Sequence, residues 1–220
     1  MNKLNQLILS FDYEQNFKNL DFYVSKSNTH VYDVIKDWSK KKQKFLNIVG
    51  DEFSGKTHLI NIFLDSNKGL KIKSNNLNNE FLKKTKLYEN IILEDLISNI
   101  DEKLFYSLIN IIDAENKNLI ITSRIPVSSI NFKLLDIQSR LKNFFITKID
   151  NPDDDLMFAL ILKNLSDRQI TIDKKLIDYI IKRVDRSYSK ISDFIYKIDQ
   201  LSLKKKKSID FKIIKEALGE

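Results

Sequence analysis

A chain of 220 residues, 42% apolar and 30% charged, has room for one large or two small domains with a real core. Without cysteine it has no disulfide or thiolate metal site, and its two histidines, His30 and His58, do not make a metal-ligand pattern. No apolar run approaches the ~18 residues of a membrane span, and no signal-peptide core opens the chain, so a cytoplasmic protein without membrane contact is expected. The net charge of +7 comes from lysines spread among many Asn and Ile, a composition bias rather than a basic groove. Strong sequence-specific DNA binding is therefore not expected.

The first informative stretch is Asn5-Gln6-Leu7-Ile8-Leu9-Ser10-Phe11. Its spaced apolar anchors suit either an extended peptide docking into a partner's hydrophobic pocket or an ordinary edge strand. Further on, Val31, Val34, Ile35 and Trp38 recur at helical spacing, with Ser27 or Asn28 as the expected N-cap. Lys40-Lys41-Lys42-Gln43-Lys44 closes that helix as a solvated end.

Gly50-Asp51-Glu52-Phe53-Ser54-Gly55-Lys56-Thr57 fits G-x-x-x-x-G-K-[ST], the phosphate-binding P-loop. Of the four glycines in the chain, this loop uses two. The apolar run Phe45–Val49 leads into it as a buried strand, and His58–Leu64 follows with helical spacing, the context the motif requires. Glycines let backbone N–H groups converge on phosphate oxygens, and the helix start adds its own unpaired donors and dipole. Lys56 would reach the β- and γ-phosphates of ADP or ATP, and the Thr57 hydroxyl would face Mg²⁺.

Leu70-Lys71-Ile72 alternates as a half-exposed strand, and a short helix is expected near Phe81-Leu82. Ile91-Ile92-Leu93-Glu94-Asp95 is an apolar run ending in acids, the pattern of a Walker B strand. Glu94 stands where a metal-side Asp is usual, and the shorter Asp95 where the catalytic acid is. Leu104–Ile112 is helical, and Asn118–Arg124 is a further buried strand. Its end places Thr122 or Ser123 toward a γ-phosphate or attacking water, or simply terminates the strand before Pro126. Phe144-Phe145-Ile146-Thr147 completes five strands alternating with helical patterns, which predicts a parallel α/β sheet. Asn151-Pro152 is a boundary, and four helices are expected beyond it, at 153–165, 173–184, 188–203 and 210–218.

P-loop, Walker B-like strand, polar strand end, Ser139-Arg140 before the fifth strand and a small helical lid together resemble the AAA+ ATPases. More narrowly, the chain resembles the DnaA-related Hda family of replication regulators. Ser25-Lys26-Ser27-Asn28 is similar to the family box before the P-loop, whose neighbourhood holds adenine, here Tyr23 and Val24. Leu119–Pro126 resembles the sensor 1 stretch, and Leu135–Leu141 the box carrying the arginine finger, here Arg140. Gln6, Leu7, Leu9 and Phe11 resemble the family's sliding-clamp-binding motif.

The resemblance implies a clamp-binding peptide at 1–12, an AAA+ α/β nucleotide-binding subdomain at 13–150 and a helical lid at 151–220. It implies a protein that binds the sliding clamp and promotes hydrolysis of DnaA-bound ATP through an arginine finger in trans, with a homodimer left open. Nucleotide contacts then fall on residues 50–57, on His58 and on the lid. Mg²⁺ would be met by Thr57 and Glu94 through the nucleotide. Two departures stand out. Glu94-Asp95 differs from the usual acid pair, which puts hydrolysis in cis in doubt. The lid's sensor 2 Arg falls in register at Ser189, leaving Arg186 or Lys190 to substitute. The helix-turn-helix domain that follows the lid in DnaA has no counterpart before Glu220, so a regulator is expected rather than an initiator. The competing expectations are a self-sufficient AAA+ ATPase of helicase-loader or clamp-loader type and a nucleotide-dependent DNA-binding protein.

Overall fold

The computed structural model describes residues 22–220. The clamp-like stretch with Gln6, Leu7, Leu9 and Phe11 lies outside them. Strands β1 (Phe45–Val49), β2 (Gly69–Lys73), β3 (Asn90–Leu96), β4 (Asn118–Ser123) and β5 (Phe145–Lys148) form one sheet in the order β2-β3-β4-β1-β5. Every neighbouring pair is parallel. The three interior strands are the near-continuous apolar runs, because helices cover both of their faces. The edge strands β2 and β5 are the half-exposed, alternating ones.

Helices α1 (Thr29–Lys36) and α2 (Lys56–Ser66) cover one face. There Val31, Ile35, Leu59, Ile60 and Phe63 pack on Leu46, Ile48, Ile92 and Ile120. The opposite face carries α3 (Asn79–Lys84), α4 (Glu102–Ala114) and α5 (Leu135–Leu141). Phe81, Phe105, Leu108, Ile137 and Leu141 meet Ile91, Leu93, Leu119 and Ile121 there. The period-2 alternation within β3 and β4 sorts their side chains between the two cores.

The N-cap of α1 falls at Asn28, one of the two expected positions. Asn28 occupies it without a side-chain capping bond. Its Oδ1 accepts from Ser25 N and its Nδ2 donates to Tyr23 O, so it folds the preceding segment instead. The helix also stops before Trp38, which is still fully buried but sits in a separate 3₁₀ turn.

After β5 come α6 (Asp154–Asp167), α7 (Lys174–Ile181), α8 (Tyr188–Lys205) and α9 (Phe211–Leu218). Asp153, Asp173 and Asp210 cap α6, α7 and α9 by accepting first-turn N–H groups. These helices gather a core of their own from Met157, Ile161, Ile177, Ile195, Ile198 and Ile214. Leu156 and Tyr188 leave that core and join the α1–α2 side of the sheet, next to Ile149. Among the described residues, no helix is long and apolar enough to cross a membrane.

Candidate functional site

β1 delivers the chain to Gly50 at the C-terminal edge of the sheet, and α2 starts at Lys56. Gly50 N donates to Ser123 O (3.1 Å), tying the loop to β4. A Cβ on Gly50 would stand 2.5 Å from Ser54 Oγ, and Gly55 takes φ +89° with the Phe22 ring 3.2 Å from where its Cβ would lie. Gly55 therefore requires glycine, and a side chain at Gly50 would have to displace the Ser54 hydroxyl. Phe53 also sits in the left-handed region (φ 63°) with its ring exposed, as are Asp51 and Glu52. His58 lies buried behind the loop, and the Phe22 ring meets it edge-on at 5.2 Å.

Lys56 is buried, and its Nζ donates to Gly50 O and Asp51 O, each at 2.7 Å. Burial pushes its amine below the ordinary lysine value. The nearby Asp95 carboxylate opposes that shift and the Arg124 guanidinium adds to it. A cation held in a carbonyl cradle at a helix start is a site prepared for phosphate. Ser54 Oγ is buried in the same loop without a hydrogen-bond partner among the described residues. Thr57, half-buried, occupies the first turn of α2.

The two acids of β3 part company. Pairing with β4 shifts register between Leu93 and Leu96, and Asp95 takes φ +54° in the resulting bulge. Asp95 N donates to Thr122 Oγ1 (2.9 Å), and Asp95 O accepts from Ser74 Oγ (2.6 Å). These bonds hold the bulge, and they leave the Asp95 side chain exposed with its charge acting on Lys56. Glu94 is buried on the α2 side of the sheet. Its Oε2 lies 3.8 Å from Lys71 Nζ, and Lys71 in turn donates to Asn61 of α2. Glu94 Oε1 is buried with no partner among the described residues. A buried carboxylate oxygen left open beside the P-loop helix, together with the Thr57 hydroxyl, fits the oxygen-only, water-rich shell of Mg²⁺.

At the end of β4, Thr122 is committed to the Asp95 amide. Ser123 Oγ donates to Ile125 O and accepts from Asn47 Nδ2. Both hydroxyls thus build the strand end. The next residue, Arg124, reaches back over the loop, with Nη2 2.7 Å from Glu52 Oε2. Sequence reasoning assigned Arg124 no role. Its sequence signals are its place in the sensor 1-like stretch Leu119–Pro126 and the scarcity of arginine in this chain.

Tyr23 and Val24 are exposed. Tyr23 borders an open cavity of about 360 Å³ with Asp154, Phe158, Lys174 and Asp178, whereas Phe22 is the ring that touches the P-loop. The box Ser25–Asn28 joins the segment to the helical part. Ser27 N donates to Asp153 Oδ2, Asp150 N donates to Ser27 O, and Tyr188 Oη donates to Asp150 O. Burial, then the neighbouring Asp153 charge, pushes the Tyr188 phenol well above its ordinary value, so it stays a donor. Arg186 pairs with Asp154 (2.8 Å), and Lys190 is exposed two residues into α8. Arg140 pairs with Asp113 of α4 (2.9 Å) and lies over the Tyr106 ring. It is on the sheet face opposite α2.

No family model matches the chain. An uncharacterized protein of Haemophilus influenzae is 26% identical over 215 residues, covering 91% of this chain and 93% of that one. The replication initiation protein DnaA of Thermotoga maritima, domain III, superposes with a TM-score of 0.74 at 19% identity, over 92% of this chain and 95% of the domain. The chain shares the AAA+ fold of that domain. AMPPCP-bound DnaA from Aquifex aeolicus matches this AAA+ fold with a TM-score of 0.67 at 18% identity, over 86% of this chain and 66% of that one. The RuvB Holliday junction branch migration motor of Thermotoga maritima does so at 0.64 and 14%, over 89% and 69%.

Proposed function

We propose that this chain is an Hda-like negative regulator of replication initiation. It holds ADP or ATP in its own P-loop and supplies Arg140 to the ATP bound by a DnaA-type partner. The observation that carries this reading is the placement of Arg140: the sheet separates it from α2 of its own chain, so a second subunit is its natural target. A guanidinium delivered in trans stabilises charge spreading over the transferred phosphoryl group, worth about 10³–10⁵ in rate. Arg140 must exchange Asp113 for that phosphate, an inexpensive exchange because a part-exposed ion pair is worth only about 0–1 kcal/mol.

In its own site the P-loop amides and Lys56 bind the β-phosphate region. Thr57 and the open oxygen of Glu94 would hold Mg²⁺, which supplies charge neutralisation when bound. Arg186 and Lys190 offer cations from the lid, and Tyr23 and Val24 sit beside the base-binding neighbourhood. The AMPPCP found in the DnaA relative supports an adenine nucleotide. Gln6, Leu7, Leu9 and Phe11 anchor the protein to the sliding clamp, which places it at replicating DNA in the cytoplasm. In the decisive experiment, clamp-loaded protein is added to DnaA carrying labelled ATP. Wild type accelerates hydrolysis; Arg140→Ala and a Gln6→Ala/Phe11→Ala double variant do not. Unchanged hydrolysis with wild type removes the reading.

Asp95 favours a second reading, a self-sufficient ATPase, because its exposed carboxylate acts on Lys56 in the same chain. Steady ATP turnover by the isolated protein, lost in Asp95→Asn, selects it.

A further inference from the structure

The P-loop carries two adjacent acids, Asp51 and Glu52, at the mouth where phosphates enter. Acids there oppose a polyanion, since like charges a few ångströms apart repel. Glu52 is not left alone. Its Oε2 accepts from Arg124 Nη2 at 2.7 Å, across from the end of β4. Both side chains are more than half exposed, so the pair is weak and exchangeable rather than a structural brace. Arg124 lies close enough for its charge to be felt at Lys56. Two cations thus flank the loop, a buried one held by carbonyls and an exposed one held by a carboxylate. Only the second can leave its partner without unmaking the loop. Arginine is scarce here: 32 of 37 basic residues are lysine, yet a guanidinium fork stands at this strand end.

We propose that Arg124 and Glu52 form a swap that discriminates nucleoside triphosphate from diphosphate. Arg124 rests on Glu52 without a terminal phosphate and transfers to the terminal phosphate of a bound triphosphate, with Glu52 as its competitor. This rests on the nucleotide-binding reading and adds the source of its specificity. A dianionic terminal phosphoryl group with three oxygens outcompetes one carboxylate for a fork donor. A diphosphate, held by the loop amides and Lys56, leaves Arg124 on Glu52. Arg124 thereby acts directly on the nucleotide, and Glu52 acts through Arg124.

The two residues predict opposite signs, which a bracing pair would not. Fluorescent ATP and ADP analogues are titrated into the full chain, and affinity is read by anisotropy without any need for hydrolysis. Arg124→Ala weakens the triphosphate about tenfold and the diphosphate less than threefold. Glu52→Gln tightens the triphosphate several-fold, because the competitor and one repelling charge are gone. Arg124→Lys restores only part of the triphosphate affinity, since an ammonium lacks the fork. If Arg124→Ala and Glu52→Gln weaken both nucleotides alike, the pair is a brace and the proposal is overturned. If wild type binds neither analogue, the nucleotide-binding reading itself fails. Binding by wild type that neither variant alters overturns the swap alone. Thermal melting of each variant confirms folding before titration.

Discussion

Lys56 shows how a single residue is stabilised for a ligand rather than for the fold. Burial lowers its amine's proton affinity, so the charged form is a cost at neutral pH. A base whose folded value is depressed keeps that cost until the pH rises through the folded value, and loses it above the unfolded one. Lys56→Met removes the cost and two hydrogen bonds to Gly50 O and Asp51 O together. The expected outcome is a melting temperature within a few degrees of wild type and nucleotide affinity down at least about a hundredfold. Thr122 illustrates the converse. Its hydroxyl is the acceptor for the Asp95 amide in the bulge. Thr122→Val leaves that amide unpaired and costs about 1–3 kcal/mol by urea denaturation, with the side-chain volume unchanged. Loss of less than half a kcal/mol would show that the bulge holds without this bond.

At the level of elements, strands and helices are well anticipated wherever an apolar run or a 3.6-residue period is driven by burial. The interior strands and α4 are of this kind, since their pattern is set by the two cores. The P-loop is equally legible, because its glycines are set by φ and by close approach. Less legible is whatever depends on where one side chain turns at a strand end. Asn28 stands at the cap position its residue type suggests, yet its side chain folds the preceding segment. Nothing in the residue types of Thr122 and Ser123 says that Thr122 Oγ1 accepts from the Asp95 amide or that Ser123 Oγ donates to Ile125 O. Phe22, rather than its neighbour Tyr23, faces the loop, and a mixed apolar and polar segment carries no sign of which ring points inward.

The joint between the α/β part and the helical part is another such element. Asp153 caps α6 and also accepts from Ser27 N. Burial raises its carboxyl, but hydrogen bonds from Leu156 N, Ser25 and Ser27 outweigh that and hold it below its ordinary value of 3.8. A carboxyl depressed on folding contributes stability that is present above the unfolded value and lost as pH falls through the folded one. Asp153→Asn keeps a capping oxygen and should cost no more than about 1 kcal/mol near pH 7. It should also flatten the loss of stability between pH 4 and lower pH, a difference read by melting both proteins across that range. Equal acid sensitivity in the two proteins would mean that Asp153 does not carry the joint.

At the scale of the whole molecule, the sheet divides two kinds of chemistry. The P-loop helix, Glu94 and the joint to the helical part lie on the α1–α2 side, whereas α4 and α5 lie on the other. A residue that serves the chain's own nucleotide belongs to the first side or to the strand ends, and Arg140 is on neither. Arg140→Ala is therefore expected to leave the melting temperature within about 2 °C of wild type, because the Asp113 pair is part-exposed. Affinity for the protein's own ADP or ATP should be unchanged by titration. Acceleration of hydrolysis on a DnaA-type partner should fall about 10³-fold. Asp113→Asn makes the complementary case, since it frees the guanidinium without shortening it. That variant should accelerate at least as well as wild type, because Arg140 no longer has to leave a carboxylate. A drop in the protein's own nucleotide affinity in Arg140→Ala would place the residue in its own site and sink the division of labour. A drop in acceleration for Asp113→Asn would instead mean that Asp113 aims the finger while pairing with it, and that the pair works as a unit.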